Sequence, residues 1–282
     1  MERGPRLAAW LSLMRPCNCL IIALATLTGG LMVSGPLPRL LLACASAAII
    51  AASGNAINDY FDADVDAINK PHRPIPAGIL SRRAVLRASL ALAACGLVLA
   101  AFLGLRALTI AALATALLYA YSWRLKLLGL VGNLTIALLS ALTFIYGGVA
   151  SGALSPLLAF PCLFAFLIIL GREIVKGVED YEGDAVRDVR TLARILGPKA
   201  ASYISTIPLA LVIALSPLPP LLRPDLYGVA YAVIAFAGVD LPLAYAIYKM
   251  ITWESHREVS RVRALTKIPL LFGVLAFLAE AI

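Results

Sequence analysis

The sequence predicts an all-α membrane protein that crosses the bilayer several times. Of its 282 residues, 61% are hydrophobic and only 14% are charged, and the mean hydropathy is +0.91. These values lie far from those of soluble globular proteins. The apolar residues form nine runs of roughly 17–25 residues, the length that a helix needs to cross about 30 Å of hydrocarbon. Because lipid offers backbone groups no partner, each run is predicted to be a helix.

The nine predicted spans follow one another without a soluble domain or a long linker, which predicts a single domain over residues 1–282. Their approximate ranges are 18–35, 39–58, 83–104, 106–123, 129–150, 156–179, 199–216, 226–248 and 266–282. Before the first span, Arg3, Arg6 and Arg15 alternate with apolar side chains. This pattern predicts a short amphipathic helix on the cytoplasmic membrane surface.

The distribution of Lys and Arg predicts the orientation. Only Arg39, Arg106 and Arg223 lie in one set of alternate loops, and the other 21 of the 24 basic residues belong to the N-terminal segment and the opposite set. Cytoplasmic loops carry the excess of Lys and Arg, so we expect a cell-membrane protein whose N-terminus and acid-rich loops face the cytoplasm. The net charge of +8 is then a topology signal, and no nucleic-acid partner is expected.

Two acidic clusters, 58–66 and 179–188, follow the second and sixth predicted spans. Three positions of the first cluster have an acidic counterpart 122 residues later: Asn58 matches Asp180, Asp62 matches Asp184, and Asp66 matches Asp188. The fixed offset predicts two pseudo-repeated four-helix halves followed by a ninth helix. A chance match between two acidic loops is the alternative.

The spacing of four within each cluster places the oxygens about one turn apart on one helix face. Hard oxygen ligands suit Mg²⁺, and Mg²⁺ held by few carboxylates usually shares its shell with phosphate. The predicted metal ligands are Asn58, Asp62, Asp66, Asp180 and Asp184. Asp59 and Asp64 lie off this stripe and are second-choice ligands. A solvated acidic face is the alternative, but ionisable groups at the end of a span usually mark function.

Basic side chains accompany both clusters. Arg172 and Lys176 precede Asp180 at the same spacing of four, deeper in the sixth span. A row of surface ion pairs, each worth a few tenths of a kcal/mol, is the alternative. Cations at this depth favour contacts with phosphate, and Glu173 and Glu179 are interpreted as flanking charges. In a membrane protein, metal ligands beside such cations point to a lipid diphosphate.

Three loops add polar side chains at the same membrane level. The segment 70–78 contains three prolines, which predict an ordered, non-helical lid carrying Arg73. Lys126 lies between the fourth and fifth spans, and Arg15 and Asn18 enter the first span. Arg73 and Lys126 are predicted phosphate ligands, although the positive-inside rule alone also accounts for loop cations.

Several other reaction classes are poorly supported. His72 and His256 are the only histidines, and neither has a partner at the spacing of a Ser-His or Cys-His nucleophile. The sequence contains no Walker or G-x-G-x-x-G phosphate loop. ATP-driven chemistry and dinucleotide redox chemistry are therefore not expected.

Three motifs resemble those of the UbiA superfamily of intramembrane prenyltransferases. They are Asn58-Asp59-x-x-Asp62-x-x-x-Asp66, Tyr121-x-x-x-x-Lys126 and Asp180-x-x-x-Asp184, preceded by Arg15-Pro16-x-Asn18. The similarity covers essentially the whole chain, including the motif order and the distances between motifs. It implies nine helices around a central cavity that opens sideways to lipid. It also implies Mg²⁺, a polyprenyl diphosphate donor and a lipid-soluble acceptor, with no obligate protein partner evident.

The segment 172–184, followed by Thr191-Leu192, is most similar to archaeal digeranylgeranylglyceryl phosphate synthases. This implies transfer of a geranylgeranyl group to geranylgeranylglyceryl phosphate, forming the second ether bond of archaeal membrane lipids. Gly177 departs from the acidic residue expected there. The alternative acceptor is 4-hydroxybenzoate or a related ring. A lipid or anion transporter is the alternative from another class, but transporters usually bind substrate near the bilayer midplane.

The resemblance and the residue chemistry together predict a role for each side chain. Asn58, Asp62 and Asp66 would hold one Mg²⁺, and Asp180 and Asp184 the other, with the four aspartates as catalytic residues. Arg73, Lys126, Arg172 and Lys176 would neutralise the leaving diphosphate, and Tyr121 would donate a hydrogen bond. Arg15 and Asn18 would bind the polar head of the acceptor. The base that takes the acceptor proton is not identified.

Overall fold

The computed structural model describes residues 3–182 and 189–282, and these residues form helices and connecting turns without a β-strand. The α-helices are α1 Arg3–Met14, α2 Pro16–Leu31, α3 Leu37–Asn69, α4 Arg82–Phe102, α5 Leu105–Trp123, α6 Leu130–Ala150, α7 Ala159–Glu179, α8 Leu192–Leu196, α9 Pro198–Leu215, α10 Leu218–Leu222, α11 Val229–Ala235, α12 Leu241–Thr252, α13 His256–Leu265 and α14 Lys267–Ala279. A π-helical turn, Phe236–Asp240, joins α11 to α12.

Eight helical segments of the described chain are long and apolar enough to cross a membrane. They are Leu37–Ile68, Arg82–Phe102, Leu105–Trp123, Leu130–Ala150, Pro156–Glu179, Pro198–Leu222, Val229–Thr252 and His256–Ala279. The pair α1 and α2, bent by 41° at Arg15, gives a ninth if it is taken as one span. The predicted all-α, polytopic membrane fold is confirmed.

The second membrane helix is longer than its apolar run. The sequence pattern ends the span at residue 58, but α3 continues to Asn69, where the backbone N–H of Lys70 donates to the carbonyl of Asp66 at 2.8 Å. Helical hydrogen bonding does not require apolar side chains, so the polar segment extends the same helix. The first acidic cluster therefore lies on regular helix, as its spacing of four requires.

The chain forms two compact units. The first contains residues 1–124 and 146–154, and the second contains residues 125–145 and 155–282. Helix α6 thus begins in the second unit, and its last turn belongs to the first. The first unit holds the first four predicted spans, whereas the duplication of two halves and the single domain remain predictions.

Small residues let the helices of the first unit approach closely. Its core contains Ala43, Ala100, Ala107 and Ala111, none more than 3% exposed. At one end of this core, the guanidinium of Arg39 donates from Nε to the carbonyl of Ala150 and from a terminal nitrogen to a carbonyl just beyond α4, at 2.8 and 2.6 Å. Arg39 therefore satisfies carbonyls that helix ends leave unpaired.

Helix α7 is the central element of the second unit and packs against α9, α13 and α14. Its side chains Ile174, Val175 and Val178 join a buried cluster with Val259 and Val262 of α13. Burial of an apolar side chain of this size contributes about 1.5–3 kcal/mol. This packing fixes the end of α7 that carries the second acidic cluster.

Candidate active site

The first acidic cluster presents an amide and a carboxylate one turn apart on α3. The Nδ2 atom of Asn58 donates to Oδ2 of Asp62 at 2.9 Å, and both side chains are half-buried. This contact follows from the spacing of four, which brings the two residues to one helix face. The structure therefore brings two of the three ligands predicted on α3 into direct contact.

The third predicted ligand of α3 contacts a predicted phosphate ligand. A terminal nitrogen of Arg73, in the proline-rich loop after α3, lies 2.5 Å from Oδ2 of Asp66 and 3.3 Å from Oδ1 of Asp59. Both carboxylates are buried, with side chains 8% exposed. The loop itself is a series of turns without helix, as its prolines predict. Arg73 is thus one counter-charge of the first cluster in this structure.

Arg15 also contacts the first cluster. One terminal nitrogen lies 2.5 Å from Oδ1 of Asp59, and the other donates to Oδ1 of Asn55 at 3.5 Å. Nδ2 of Asn55 donates in turn to the carbonyl of Met14 at 2.9 Å. Arg15 has φ 53° and ψ 66°, a left-handed conformation that is unfavourable for a residue with a side chain. Non-glycine residues held in this conformation are often functional.

Asp59, predicted as a second-choice ligand, contacts two arginines, and Asn55 was not predicted as a site residue. Both lie off the Asn58–Asp62 stripe, so the spacing of four gave no reason to select them. Their partners are 14 to 44 residues away along the chain. Asn18 lies in the first turn of α2, where its backbone N–H donates to the carbonyl of Arg15 at 2.9 Å.

One acid of the first cluster is a surface residue. Asp64 has a side chain 77% exposed and accepts two hydrogen bonds from NH1 of Arg82, at 3.0 and 3.1 Å. The same guanidinium lies over the ring of Tyr60, 4.9 Å from its centre. An exposed pair of this kind contributes about 0–1 kcal/mol to stability. Its position away from the stripe suits it as an internal control.

Tyr121 and Lys126, which form one motif in the sequence, belong to different compact units. Tyr121 is half-buried near the end of α5 in the first unit, and Lys126 lies in the 3₁₀ turn Leu125–Leu128 of the second. Gly129 ends this turn with φ 58°, and a Cβ atom there would lie 1.8 Å from the carbonyl oxygen of Arg190. Glycine thus lets the Lys126 turn approach the segment that follows the second acidic cluster.

The second acidic cluster begins where α7 ends. Asp180 follows Glu179, the last residue of the helix, and its backbone N–H donates to the carbonyl of Lys176 at 2.8 Å. Lys176 and Asp180 therefore lie about one turn apart on the same face at the end of the helix, as their spacing predicts. Asp184 and Asp188 lie outside the described residues.

A buried glutamate pairs with the two predicted phosphate ligands of α7. Oε1 of Glu173 lies 3.2 Å from NH1 of Arg172, and Oε2 lies 3.3 Å from Nζ of Lys176. Glu173 was predicted to be a flanking charge, but its side chain is only 7% exposed. Residues three positions apart are neighbours on a helix, so the spacing of Glu173 and Lys176 indicates this pairing. Nε of Arg172 is buried and has no hydrogen-bond partner among the described residues.

The described residues contain no group of three or more His, Cys, Asp or Glu side chains that could hold a metal ion. Of the three predicted ligands on α3, only Asp62 and Asp66 are carboxylates. The third is the amide of Asn58. Oxygen donors of this type nevertheless fit Mg²⁺, which binds through one or two carboxylates together with substrate phosphates. The unpaired Nε of Arg172 on α7 fits an anion, and Asp180, about two turns further along at the helix end, fits a cation.

Comparison with known proteins gives matches over nearly the whole chain. A model of the UbiA prenyltransferase family matches residues 19–268. A protein of Thermococcus gammatolerans named digeranylgeranylglyceryl phosphate synthase is 36% identical over 280 residues, which cover 98% of this chain and 99% of the relative. The protein of the same name from Methanopyrus kandleri is 38% identical over 274 residues, with coverage of 96% and 98%.

Solved structures match at the level of the fold. One described for digeranylgeranylglyceryl phosphate synthase in membranes has a TM-score of 0.75 and 33% identity, and covers 98% of this chain and 99% of its own. A UbiA homologue from Archaeoglobus fulgidus, bound to GPP and Mg²⁺, has a TM-score of 0.70 at 21% identity, with coverage of 95% and 99%. The chain belongs to the UbiA prenyltransferase family.

Proposed function

We propose that the protein transfers a geranylgeranyl group from its diphosphate to geranylgeranylglyceryl phosphate in a reaction that requires Mg²⁺. The observation that carries this proposal is the near full-length similarity, at 33–38% identity, to relatives named digeranylgeranylglyceryl phosphate synthase. The polar side chains at the ends of α3 and α7 support it, because they supply the ligand types that a metal-bound diphosphate needs.

Asn58, Asp62 and Asp66 would hold one Mg²⁺, and Asp180 and Asp184 the other. When bound, the metal neutralises the diphosphate and stabilises the charge that develops on the leaving group. Arg73 contacts Oδ2 of Asp66 in this structure, so its guanidinium would lie beside a metal ion held by that carboxylate. A cation at this position would be available to the diphosphate, which is the role predicted for it.

Arg172, Lys176 and Lys126 would bind the leaving diphosphate, with Tyr121 as a hydrogen-bond donor. Glu173 holds Arg172 and Lys176 in place, so these charges are positioned before the substrate arrives. The allylic C–O bond of the donor then breaks, and the diphosphate leaves with the bonding electrons. The acceptor hydroxyl attacks the allylic carbon, the ether C–O bond forms, and the hydroxyl proton is lost.

Arg15 and Asn18 would bind the phosphate of the acceptor. That phosphate needs a cation besides those that neutralise the donor, and Arg15 is one-third exposed at the first acidic cluster. Its contact with Asp59 fixes the guanidinium at the level of the metal ligands. An apolar acceptor tail would extend into the surrounding lipid.

The acceptor is tested with purified protein in liposomes, given geranylgeranyl diphosphate and either geranylgeranylglyceryl phosphate or 4-hydroxybenzoate. We expect the ether lipid to form and diphosphate to be released only with the first acceptor. Prenylation of 4-hydroxybenzoate alone would refute the proposed acceptor and leave the family membership unaffected. Movement of either lipid across the bilayer without release of diphosphate would instead indicate a transporter.

We further propose that both acidic clusters face the cytoplasm, because 21 of the 24 basic residues favour that orientation. Single cysteines at Ala67 and Ala185, in a variant without the five native cysteines, test this in intact cells. Both positions should resist a membrane-impermeant maleimide until the cells are opened. Labelling of either position from outside would contradict the orientation.

A further inference from the structure

Helix α13 contacts the end of α7 through two polar side chains, Ser260 and Arg263, that lie outside the family motifs. Nε of Arg263 lies 2.6 Å from Oε2 of Glu179, and Oγ of Ser260 donates to Oε1 of the same carboxylate. The Glu179 side chain is only 15% exposed. Both oxygens therefore face α13, one through a hydrogen bond to a residue 81 positions along the chain and the other through an ion pair that lacks hydrogen-bond geometry.

Glu179 is the last residue of α7, and Asp180 follows it directly. Helix ends fray, because their last carbonyls have no partner within the helix. A restraint from another helix on the final residue limits that fraying. Since adjacent residues differ by about 100° around the helix, fixing Glu179 against α13 also fixes the direction in which Asp180 points.

The apolar contacts beneath this pair explain why α13 is a rigid support. Val259 and Val262 are buried in one cluster with Val175 and Val178 of α7. Val175 precedes Glu179 by four residues, so the carboxylate lies on the packed side of the helix. Asp180 follows Lys176 by four and belongs to the neighbouring stripe.

We propose that Ser260 and Arg263 are positioning residues that hold Asp180 in place, through Glu179, for binding of the second metal ion. This inference rests on the proposed function, because it concerns the metal ligands of that reaction. Glu179 then serves to connect α13 to the metal site rather than to bind the metal. Residues that orient a ligand in this way typically change metal affinity by about 10- to 100-fold when they are lost.

The chain offers a closely matched control for Arg263. Lys249 of α12 pairs with Glu258, also on α13, at 3.3 Å, and Lys249 and Arg263 both have side chains 30% exposed. Arg263→Met and Lys249→Met each remove one cation and one ion pair of α13. Only the first of these pairs includes a residue of α7.

The first measurement is amide hydrogen exchange of residues 173–182 in metal-free protein, which does not depend on activity. Arg263→Met should exchange there about 10-fold faster than the unmodified protein, since local opening costs less without the restraint. Lys249→Met should leave this segment unchanged. Equal exchange in all three proteins would overturn the proposed support of α7 by α13.

The second measurement is the Mg²⁺ concentration that gives half-maximal prenyl transfer. Arg263→Met should raise it about 10-fold with most of kcat recovered at saturating Mg²⁺, and Ser260→Ala and Arg263→Lys should raise it less. Lys249→Met should not change it. A lower kcat at an unchanged Mg²⁺ requirement would overturn the positioning role. Failure of the proposed function has a different signature, namely no transfer by the unmodified protein at any Mg²⁺ concentration.

Discussion

The two acidic helix ends receive their positive charge in different ways. At the end of α3, two arginines from outside the helix bind the buried carboxylates: Arg73 of the following loop contacts Asp59 and Asp66, and Arg15 contacts Asp59. At the end of α7, Arg172 and Lys176 lie on the helix itself and share one buried glutamate. The cations of the first end therefore come from outside the helix, whereas those of the second end lie on the helix itself.

This difference indicates that the two helix ends have different roles in the proposed reaction. A carboxylate whose counter-charge is a loop arginine can exchange that arginine for a metal ion without disturbing its helix. Cations that are already paired on a helix give a diphosphate a site that needs little reorganisation. We expect loss of a metal-ligand carboxylate to have the largest effect at either end, and loss of a cation to matter more for the donor at the second end than at the first.

The largest expected effect is that of removing a metal ligand. Asp62→Ala and Asp184→Ala should each lower turnover by at least about 100-fold, as loss of a preorganised charge-stabilising group does. Asp64→Ala is the matched control on α3, because its side chain is 77% exposed and pairs with Arg82 at the surface. Steady-state rates of folded, purified variants measure this. Near-normal turnover of Asp62→Ala would contradict the assignment of α3.

The next effect concerns the cations of α7. Lys176→Met should lower kcat/KM for the donor by about 10- to 100-fold, because a hydrogen bond to a charged group contributes about 1.5–3 kcal/mol. Arg82→Gln removes a cation that contacts exposed Asp64 and should change kcat/KM little. Equal losses in the two variants would show that overall charge, rather than the position on α7, governs donor binding.

A smaller and more selective effect is expected at Arg15. Arg15→Gln should raise the KM of the acceptor about 10-fold, the lower range for a charged hydrogen bond, and raise that of the donor less. The measurement varies each substrate in turn at saturation of the other. Arg6→Gln, an exposed change on α1, is the control. A rise confined to the donor KM would assign Arg15 to the diphosphate instead.

The smallest effects concern stability at two positions that are 122 residues apart, Asn55 and Gly177. Asn55→Ala removes the hydrogen bond to the Met14 carbonyl and should destabilise the protein by about 0.5–1.5 kcal/mol. Gly177→Ala should stabilise it by roughly 0.5–1 kcal/mol, because glycine is unfavourable within a helix. The Cβ atom of the new alanine would lie 3.5 Å from Thr191, an ordinary van der Waals distance. The midpoint of thermal unfolding should therefore fall for Asn55→Ala and rise for Gly177→Ala.

The sequence predicted the helices because membrane spans have a length and composition that few other structures share. It did not predict where α3 ends, because the apolar run stops at residue 58 while the backbone hydrogen bonds continue to Asn69. Hydropathy also misplaced the end of the first span, which was predicted near residue 35 but lies at Leu31. Chain direction there changes at Met32–Pro36, through turns that hydropathy does not detect.

The site was predictable where its side chains repeat along one helix and unpredictable where they meet across the fold. The contact between Asn58 and Asp62 follows from their spacing. The contact of Arg15 with Asp59 joins residues 44 positions apart, and that of Arg263 with Glu179 joins two helices whose packing no local pattern specifies. Tertiary packing determines which residues meet in such pairs. The sequence therefore identified candidate side chains but not their partners.

The requirement for a divalent cation tests the proposed chemistry most directly. Purified protein in liposomes is given geranylgeranyl diphosphate and geranylgeranylglyceryl phosphate, and ether-lipid product is measured with EDTA and then with excess Mg²⁺. We predict no product with EDTA and full recovery with Mg²⁺, because the ligand carboxylates would repel a diphosphate in the absence of a metal ion. Unchanged product formation in the presence of EDTA would contradict the metal-dependent transfer assigned to the ends of α3 and α7.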